Sequence, residues 1–179
     1  MTRLAPGGVR PWRLGARTRK GVLVVHIVSA GAWIGIDVAM AIVVFTALLT
    51  DDENTKALCF RALELFAVWP LFTTGLVCLA SGFVLGLGTK WGLIRYWWVA
   101  IKLALNFVLT ALVLIALRSG VMEAAEQGRR FMAGEAASLV VGDLIYPPIV
   151  SPSALLIAFV LAVFKPWGRI RKPRLRQEP

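Results

Sequence analysis

Histidine and cysteine, the side chains that most often bind transition metals, are scarce in this chain. Its 179 residues include one histidine, His26, and two cysteines, Cys59 and Cys78. A closed zinc site needs about four ligands, and a haem bound by the first apolar segment needs a second axial ligand, whereas Met40 is fourteen residues from His26. On one continuous helix the two cysteines would be about 28 Å apart, too far for a disulfide. We therefore expect no metal site and no cofactor.

Common catalytic motifs are also missing. The chain has no Walker phosphate-binding loop, no G-x-S-x-G motif and no H-E-x-x-H motif. Each of these motifs places a nucleophile, a base or a phosphate-binding backbone segment where the reaction requires it. We therefore predict that the protein is not an enzyme and has no catalytic residues.

Charged residues are few for a chain of this length. They make up 17% of the sequence, against 58% hydrophobic residues and a mean hydropathy of +0.74, a balance typical of membrane proteins. Four apolar stretches are long enough for the roughly 20 residues that a helix needs to cross the hydrocarbon core: 22–49, 65–89, 96–117 and about 144–164. The sequence predicts an all-α membrane protein, with a bundle of four transmembrane helices in residues 22–167 and basic tails at 1–21 and 168–179.

Acidic residues are half as numerous as basic ones, 10 against 20. The basic residues precede the first apolar stretch, end or follow the last, and include Lys90 and Arg95 between the second and the third. With four spans these segments share one side of the membrane, and the positive-inside rule places both termini in the cytoplasm. We expect the tails to bind anionic lipid headgroups, at about 1 kcal/mol per basic residue near the surface, and not nucleic acid. The first apolar run is longer than the core of a cleaved signal peptide, so we expect it to be retained.

The longest connection between the predicted spans is the segment 119–143. Its content of Glu, Gln, Arg and Ala predicts an amphipathic helix that lies on the outer face of the membrane between the third and fourth helices. Before the second span, Asp52 or Asn54 is expected to cap the helix that leads into it.

The start of the fourth helix has two solutions. In the first, Ser151 caps a short helix that begins at Pro152, and the preceding Tyr146-Pro147-Pro148 segment is itself embedded in the membrane. In the second, one continuous helix bends at these prolines. The sequence does not distinguish them.

A polar and aromatic stripe follows one side of the first span. Asp37 lies near the middle of the apolar run, where a carboxylate costs about 2.5–3.5 kcal/mol on insertion scales. At about 100° per residue, His26, Trp33 and Asp37 fall within about 20° of one line, and Ser29 belongs to the same stripe. A costly residue at this position indicates a functional or helix-bonding role.

Depth along the helices suggests partners for Asp37. At about 1.5 Å per residue, Asp37 lies about 22 Å from the cytoplasmic start of its helix, past the middle of the bilayer. On the third span Thr110 is about 22 Å deep and Asn106 about 16 Å. We predict that Asn106 or Thr110 binds Asp37, with Thr73 or Thr74 as a further donor.

Nearer the cytoplasmic side, His26 and Lys102 lie at similar depths, about 7 and 10 Å. Their structural interpretations are a hydrogen-bonded interfacial histidine and a lysine that extends to the interface. Their functional interpretation is a set of ligand or relay residues, which comprises His26, Trp33, Asp37, Lys102 and Asn106.

Pairs of glycines occur at helix-packing spacing in two spans. Gly31 and Gly35 lie nearly opposite the polar stripe, and Gly82 and Gly86 repeat the spacing in the second span. Small residues allow the backbones of neighbouring helices to approach closely. We expect these glycines to pack within the bundle, and homodimerisation is the alternative.

Short motifs in all four spans are similar to those of a group of small four-helix bacterial membrane proteins of unknown function. In chain order they are H-I-V-S-A-G-A-W-I-G, F-T-T-G-L, Y-W-W-V-A-I-K-L-A-L and L-A-V-F-K-P-W-G-R. The H-x6-W-x-G, T-G and K-L arrangement also resembles the core of the copper-resistance D family.

The resemblance extends from residue 22 to about 170 and implies a multi-pass bundle in the bacterial plasma (inner) membrane. The matching positions are His26, Trp33, Gly35, Gly75 and Lys102. For the second group it also implies copper handling. Copper sites commonly use clusters of methionine or histidine, whereas the methionines here are scattered, so we expect no copper site.

Three functions fit these observations. The first is a non-enzymatic membrane protein whose buried polar stripe binds a small ligand or mediates helix contacts. The second is a proton- or metal-coupled transport component, including a copper-type one, in which Asp37 and His26 act as relay groups. The third is an accessory subunit that docks to a larger membrane complex through its glycine faces and the 119–143 segment.

Overall fold

The computed structural model describes residues 14–88, 93 and 96–165. Within these ranges the α-helices are α1 (Ala16–Leu49), α2 (Glu53–Phe66), α3 (Val68–Gly88), α4 (Trp97–Leu112), α5 (Arg118–Met132) and α6 (Pro147–Phe164). The predicted tail at 168–179 and the first thirteen residues of the predicted tail at 1–21 lie outside the described residues. The remaining residues of that first tail, 14–21, include the start of α1 at Ala16.

Several of these helices join end to end. Only Ala67 separates α2 from α3, and its backbone N–H donates to the Leu63 carbonyl oxygen at 2.9 Å, so the helix continues. A π-helical turn, Val113–Leu117, connects α4 to α5. The described residues thus form four helices long and apolar enough to cross a membrane: Ala16–Leu49, Glu53–Gly88, Trp97–Met132 and Gly142–Phe164. This confirms the predicted all-α, four-helix architecture.

The bundle has two distinct ends. At one end, called the termini end below, the Leu14 N–H donates to the Gly88 carbonyl oxygen at 3.2 Å, which sets the start of α1 beside the end of α3. The other end, called the opposite end, carries α2, α5 and residues 133–146. A helix of 36 residues is about 54 Å long, whereas a hydrocarbon core is about 30 Å thick, so α2 and α5 extend beyond the membrane-spanning part.

The predicted amphipathic helix in 119–143 forms only as far as Met132, where α5 ends, and its surroundings differ from the expectation. The helix α5 continues the third span, and its apolar face packs on α2 instead of lying on lipid. A Cβ atom added at Gly128 would lie 2.8 Å from the Ala57 carbonyl oxygen, so the two backbones are in close contact. At the edge of this contact the Arg129 Nη1 atom is 2.7 Å from Glu64 Oε2. Helix packing against α2 therefore buries the apolar face that the sequence assigned to the membrane surface.

The first of the two helices at the opposite end begins at a capping carboxylate. Asp52 Oδ1 accepts from the Asn54 N–H at 3.2 Å and Oδ2 accepts from the Thr55 N–H at 3.0 Å. These bonds satisfy backbone donors that the first turn of α2 leaves unpaired. The Thr55 hydroxyl also donates to Asp52 Oδ2. This hydroxyl bond, followed by the two backbone bonds, lowers the pKa of Asp52. Of the two expected capping residues, Asp52 is the one that caps.

The start of the fourth span follows the continuous-helix solution. A 3₁₀ turn, Gly142–Ile145, leads directly into α6, which begins at Pro147. Ser151 and Pro152 lie inside this helix, so the prediction that Ser151 caps it is wrong. Pro147 and Pro148 in the first turn are compatible with the helix because the N–H groups there have no intrahelical acceptor, whereas Pro152 lies beyond that turn. The side chain of Ser151 is then available for contacts with another helix.

A continuous apolar core runs along the bundle. Its largest fully buried side chains include Trp33, Met40 and Leu71 at the crossing of α1 and α3, and Phe60 and Leu63 between α2 and α5. The lipid-facing sides of the helices are equally apolar, and many of their leucine, valine and isoleucine side chains are exposed. Polar side chains inside the bundle are therefore the best indicators of a site.

Candidate functional site

Asp37 is fully buried between α1 and α6. Its side chain is 0% exposed, and its Oδ2 atom accepts a hydrogen bond of 2.7 Å from the Ser151 hydroxyl. The predicted partners Asn106 and Thr110 are wrong: the Thr110 hydroxyl instead lies 3.4 Å from Asn106 Oδ1, its hydrogen-bond acceptor on the same helix. Because α6 is helical from Pro147 onward, it presents Ser151 to α1 at the level of Asp37.

Trp33 extends this contact by one residue. Its Nε1–H donates to Ser151 Oγ at 3.1 Å, and Ser151 in turn donates its only hydroxyl proton to Asp37. The three side chains form a directed chain from Trp33 through Ser151 to Asp37. This arrangement fixes the serine rotamer, and Oδ2 of Asp37 is occupied as the acceptor of the Ser151 hydroxyl.

The other carboxylate oxygen, Oδ1 of Asp37, is buried and has no hydrogen-bond partner in the part of the chain that the structure describes. Buried polar atoms are nearly always hydrogen-bonded, because desolvation without a partner costs about 1–3 kcal/mol. An unpartnered carboxylate oxygen inside a membrane bundle is therefore the most unusual polar atom in the described residues.

Asp37 borders a cleft of about 750 Å³. The cleft lies between α1, the α4–α5 helix and α6, and it is open towards the opposite end of the bundle. Its walls are mainly apolar and include Trp33, Met40, Leu71, Leu109, Leu112, Val113, Ala116, Leu117, Ala124, Val140, Val141, Leu144, Pro147 and Val150. Its volume lies within the range of about 300–1,000 Å³ that is usual for small-molecule sites.

The two ends of the cleft differ in exposure. Trp33 and Asp37 at its inner end are fully buried, whereas Glu123 and Asp143 at its outer end are exposed. Ser151 is four residues from the start of α6, so Asp37 lies about 6 Å inside the level where that helix begins. The Asp37 carboxylate therefore lies only a short distance below the open end of the cleft, although it is not in contact with solvent.

The π-helical turn forms part of the cleft wall. Val113, Ala116 and Leu117 from this turn all border the cleft. A π turn adds one residue to a helical turn and so rotates everything after it by about 100°. That rotation allows α4 to face α3 while α5 faces α2. Because π turns occur frequently at functional sites, this one is a second structural indication for the cleft.

A separate polar cluster lies towards the termini end. His26 Nδ1 is 3.0 Å from the Cys78 carbonyl oxygen and 3.0 Å from Ser81 Oγ. A carbonyl oxygen only accepts, so Nδ1 carries a hydrogen in this arrangement. The Ser81 hydroxyl lies 2.7 Å from the Val77 carbonyl oxygen, which accepts its proton. His26 therefore ties α1 to α3.

Lys102 lies in the same region, near His26 and Cys78. No carboxylate pairs with Lys102 in the described ranges. The structure therefore brings His26 and Lys102 together at one level, and Trp33 and Asp37 together at another. Asn106 accepts a hydrogen bond from Thr110, and its side chain also interacts with that of Cys78, which contacts His26.

The predicted glycine faces divide into two kinds. A Cβ atom at Gly82 would lie 3.1 Å from His26 Cε1, and one at Gly86 would lie within contact distance of Leu93, so these glycines pack inside the bundle as predicted. Gly31 and Gly35 are exposed, with no neighbouring atoms within 4 Å of an added Cβ, so the expectation that they pack within the bundle is wrong.

Gly75 on α3 packs closely against neighbouring helices, whereas Gly31 and Gly35 on α1 make no such contact. An added Cβ at Gly75 would lie 2.7 Å from the Trp33 ring and 2.8 Å from the Thr110 hydroxyl. Gly75 thus provides the space in which the Trp33 indole sits beside the inner end of the cleft. In the sequence, Gly75 is indicated only by the family resemblance. Ser151 is not indicated as a site residue, because a serine before a proline is typical of a helix cap.

No family model, curated protein or solved structure matches this chain.

Proposed function

We propose that this chain is a non-enzymatic, multi-pass membrane protein that binds a small molecule in the cleft bordered by Asp37. The observation that carries the proposal is the buried Asp37 Oδ1 atom, which lacks a partner beside a cleft of about 750 Å³. Binding of a hydrogen-bond donor at this atom would offset its desolvation. The largely apolar walls would supply the contact area, as in most small-molecule sites.

We further propose a location and an orientation. The resemblance to small four-helix bacterial membrane proteins supports the plasma (inner) membrane of a bacterium. The positive-inside rule supports an orientation with both termini in the cytoplasm. The cleft then opens on the outer side, where α2 and α5 extend beyond the membrane. In this orientation the protein samples small molecules of the external compartment or the outer leaflet.

The experiment is a comparison of the small molecules that copurify with a cleft-blocked variant. Ala116→Trp fills the cleft from its π-helical wall, and Ala104→Trp places the same side chain on an exposed position of α4 outside it. We expect untargeted mass spectrometry of extracts to find a species with the parent and with Ala104→Trp that is absent with Ala116→Trp. Identical profiles for all three proteins would overturn the proposal.

A proton-coupled transport component is the second candidate, and one observation favours it. Polar side chains continue from the cleft towards the termini end, through Thr110 and Asn106 to the level of Lys102 and His26. A binding site that opens on one side alone has no need of this continuation. Acidification measured inside dye-loaded proteoliposomes tests it: a transport role predicts an Asp37-dependent proton flux, and flux equal to that of empty liposomes contradicts it.

A further inference from the structure

We infer that the cleft accepts a small amphipathic organic cation, an amine attached to an apolar body. The inference rests on the proposed function and adds the chemical class of the occupant.

The charge of the cleft is the first argument. The carboxylates that line it are Asp37, Glu123 and Asp143, and no lysine, arginine or histidine lines it in the described part of the chain. This contrasts with the formal net charge of +10 of the whole chain. A patch of one sign surrounded by low-dielectric walls raises the local concentration of the opposite charge. Glu123 and Asp143 at the exposed end are placed to attract a cation, and Asp37 is placed to bind it.

The geometry of Asp37 is the second argument. Ser151 binds Oδ2, which leaves Oδ1 as a single free acceptor in a fixed orientation. A charge-assisted N–H donor from an ammonium group is stronger than a neutral donor at such an atom. The ammonium would also neutralise a carboxylate that is otherwise costly inside a membrane. The indole of Trp33 at the same end of the cleft adds an aromatic ring, a favourable neighbour for an organic cation.

The donor set favours an organic cation over a metal ion. A calcium or magnesium ion takes about six or more oxygen ligands, whereas the inner end of the cleft presents one free carboxylate oxygen and apolar side chains such as Leu71 and Leu109. No group of three or more histidine, cysteine, aspartate or glutamate residues suited to a metal occurs within the residues described. The cleft volume of about 750 Å³ also lies in the range usual for sites that bind organic molecules.

The apolar residues that border the cleft support an amphipathic occupant. Leu112, Ala116 and Val150 border the cleft and are exposed. They give the cleft an accessible apolar surface on two of its sides. An amine with an apolar body can place that body along these residues and its ammonium group at Asp37.

The test uses three probes of nearly equal shape and different charge: phenylbutylamine, phenylbutanol and phenylbutyrate. Dissociation constants are measured by calorimetry with the full-length protein in nanodiscs of zwitterionic lipid, with empty nanodiscs as the blank. We expect the amine to bind at least about ten-fold more tightly than the alcohol, and the carboxylate to bind most weakly. An amine that binds no more tightly than the alcohol would overturn the inference.

Variants connect this preference to the cleft. Asp37→Asn is expected to remove the amine preference and leave the alcohol affinity unchanged. The double variant Glu123→Gln with Asp143→Asn changes only exposed side chains, so it serves even where Asp37→Asn fails to fold. It is expected to weaken amine binding by a few-fold at low salt, whereas the control Asp51→Asn, on an exposed residue outside the cleft, is expected to have no effect. Unchanged amine binding in the double variant contradicts the inference.

Failure of this inference is distinguishable from failure of the proposed function. Binding of the alcohol that is blocked by Ala116→Trp, without any preference for the amine, would retain the cleft as a ligand site and reject a cationic occupant. Absence of binding by all three probes would reject the inference, and the copurification comparison would then decide the proposed function alone.

Discussion

The Ser151 hydroxyl on α6 donates a hydrogen bond of 2.7 Å to Asp37 Oδ2 on α1, across 114 positions of sequence. The same hydroxyl oxygen accepts from Trp33 Nε1 at 3.1 Å, so one serine fixes two buried polar groups of the first span. This bond sets the position of α6 against α1 and leaves the second oxygen of Asp37 free beside the cleft.

Ser151→Ala should destabilise the protein by about 1–3 kcal/mol, because it leaves the Trp33 N–H and both oxygens of Asp37 without partners. The control is Ser153→Ala on the same helix, whose exposed hydroxyl donates to the Ile149 carbonyl oxygen of that helix. The free energy of unfolding in mixed detergent micelles measures both. Equal effects of the two changes would contradict the structural role of Ser151.

Glycine substitutions should separate the inside of the bundle from its surface. Gly75→Ala places a methyl group 2.7 Å from the Trp33 ring and should cost about 1–3 kcal/mol through overpacking. Gly31→Ala and Gly35→Ala meet no atoms within 4 Å and should leave the stability of the monomer unchanged or slightly raised, since alanine favours the helix. Thermal unfolding of the detergent-solubilised monomer is the measurement. A large loss in Gly31→Ala would show that its face is covered.

The sequence was sufficient for the architecture and insufficient for the partners of the polar residues. Long apolar runs mark membrane helices because every backbone group must bond within its own segment, so the four spans could be predicted directly. Hydrophobicity does not show which side of a helix faces inward, because lipid-facing side chains are as apolar as buried ones. Gly31 and Gly82 therefore looked equivalent in the sequence, although only Gly82 packs against another helix.

The partner of Asp37 was mispredicted for a related reason. Counting depth along straight helices gives levels but not rotations, and the π turn after Leu112 together with the helical start at Pro147 changes which side chains face α1. The extension of α5 over α2 was also not predictable from composition, because an amphipathic face fits a lipid surface and a neighbouring helix equally well. Contacts between distant segments decided both cases.

The cap of α2 should make stability depend on pH. The pKa of Asp52 is lowered in the folded protein, so its contribution is present above the unfolded value of about 3.9 and is lost as pH falls through the folded value. The parent should therefore be more stable than Asp52→Ala at neutral pH, and the difference should shrink in strong acid. Thermal midpoints of the two proteins across this range are the measurement, with Asp51→Ala as the control. A difference that stays constant down to the lowest pH would contradict the assignment of the cap.

The proposed orientation predicts a labelling pattern in intact cells. In a cysteine-free background, Asn54→Cys and Ala136→Cys at the opposite end should react with an impermeant thiol reagent, because both positions are exposed. Cysteines at Arg13 and Arg171 in the basic tails should react only after the cells are permeabilised. Labelling of the tails from outside would reverse the orientation and place the cleft on the cytoplasmic side.

The central claim is that the Asp37 carboxylate, and not merely a side chain of its shape, binds a small molecule. The most direct measurement is the amount of copurifying small molecule retained by folded Asp37→Asn relative to the parent, determined by mass spectrometry at matched protein. The amide preserves the shape of the side chain and can still accept from Ser151, so the variant should fold and insert, whereas Asp37→Leu should be at least as stable as the parent without the buried charge. We predict that Asp37→Asn loses the molecule while remaining a folded membrane protein. Retention at the level of the parent would contradict the claim and leave Asp37 as a structural link between α1 and α6.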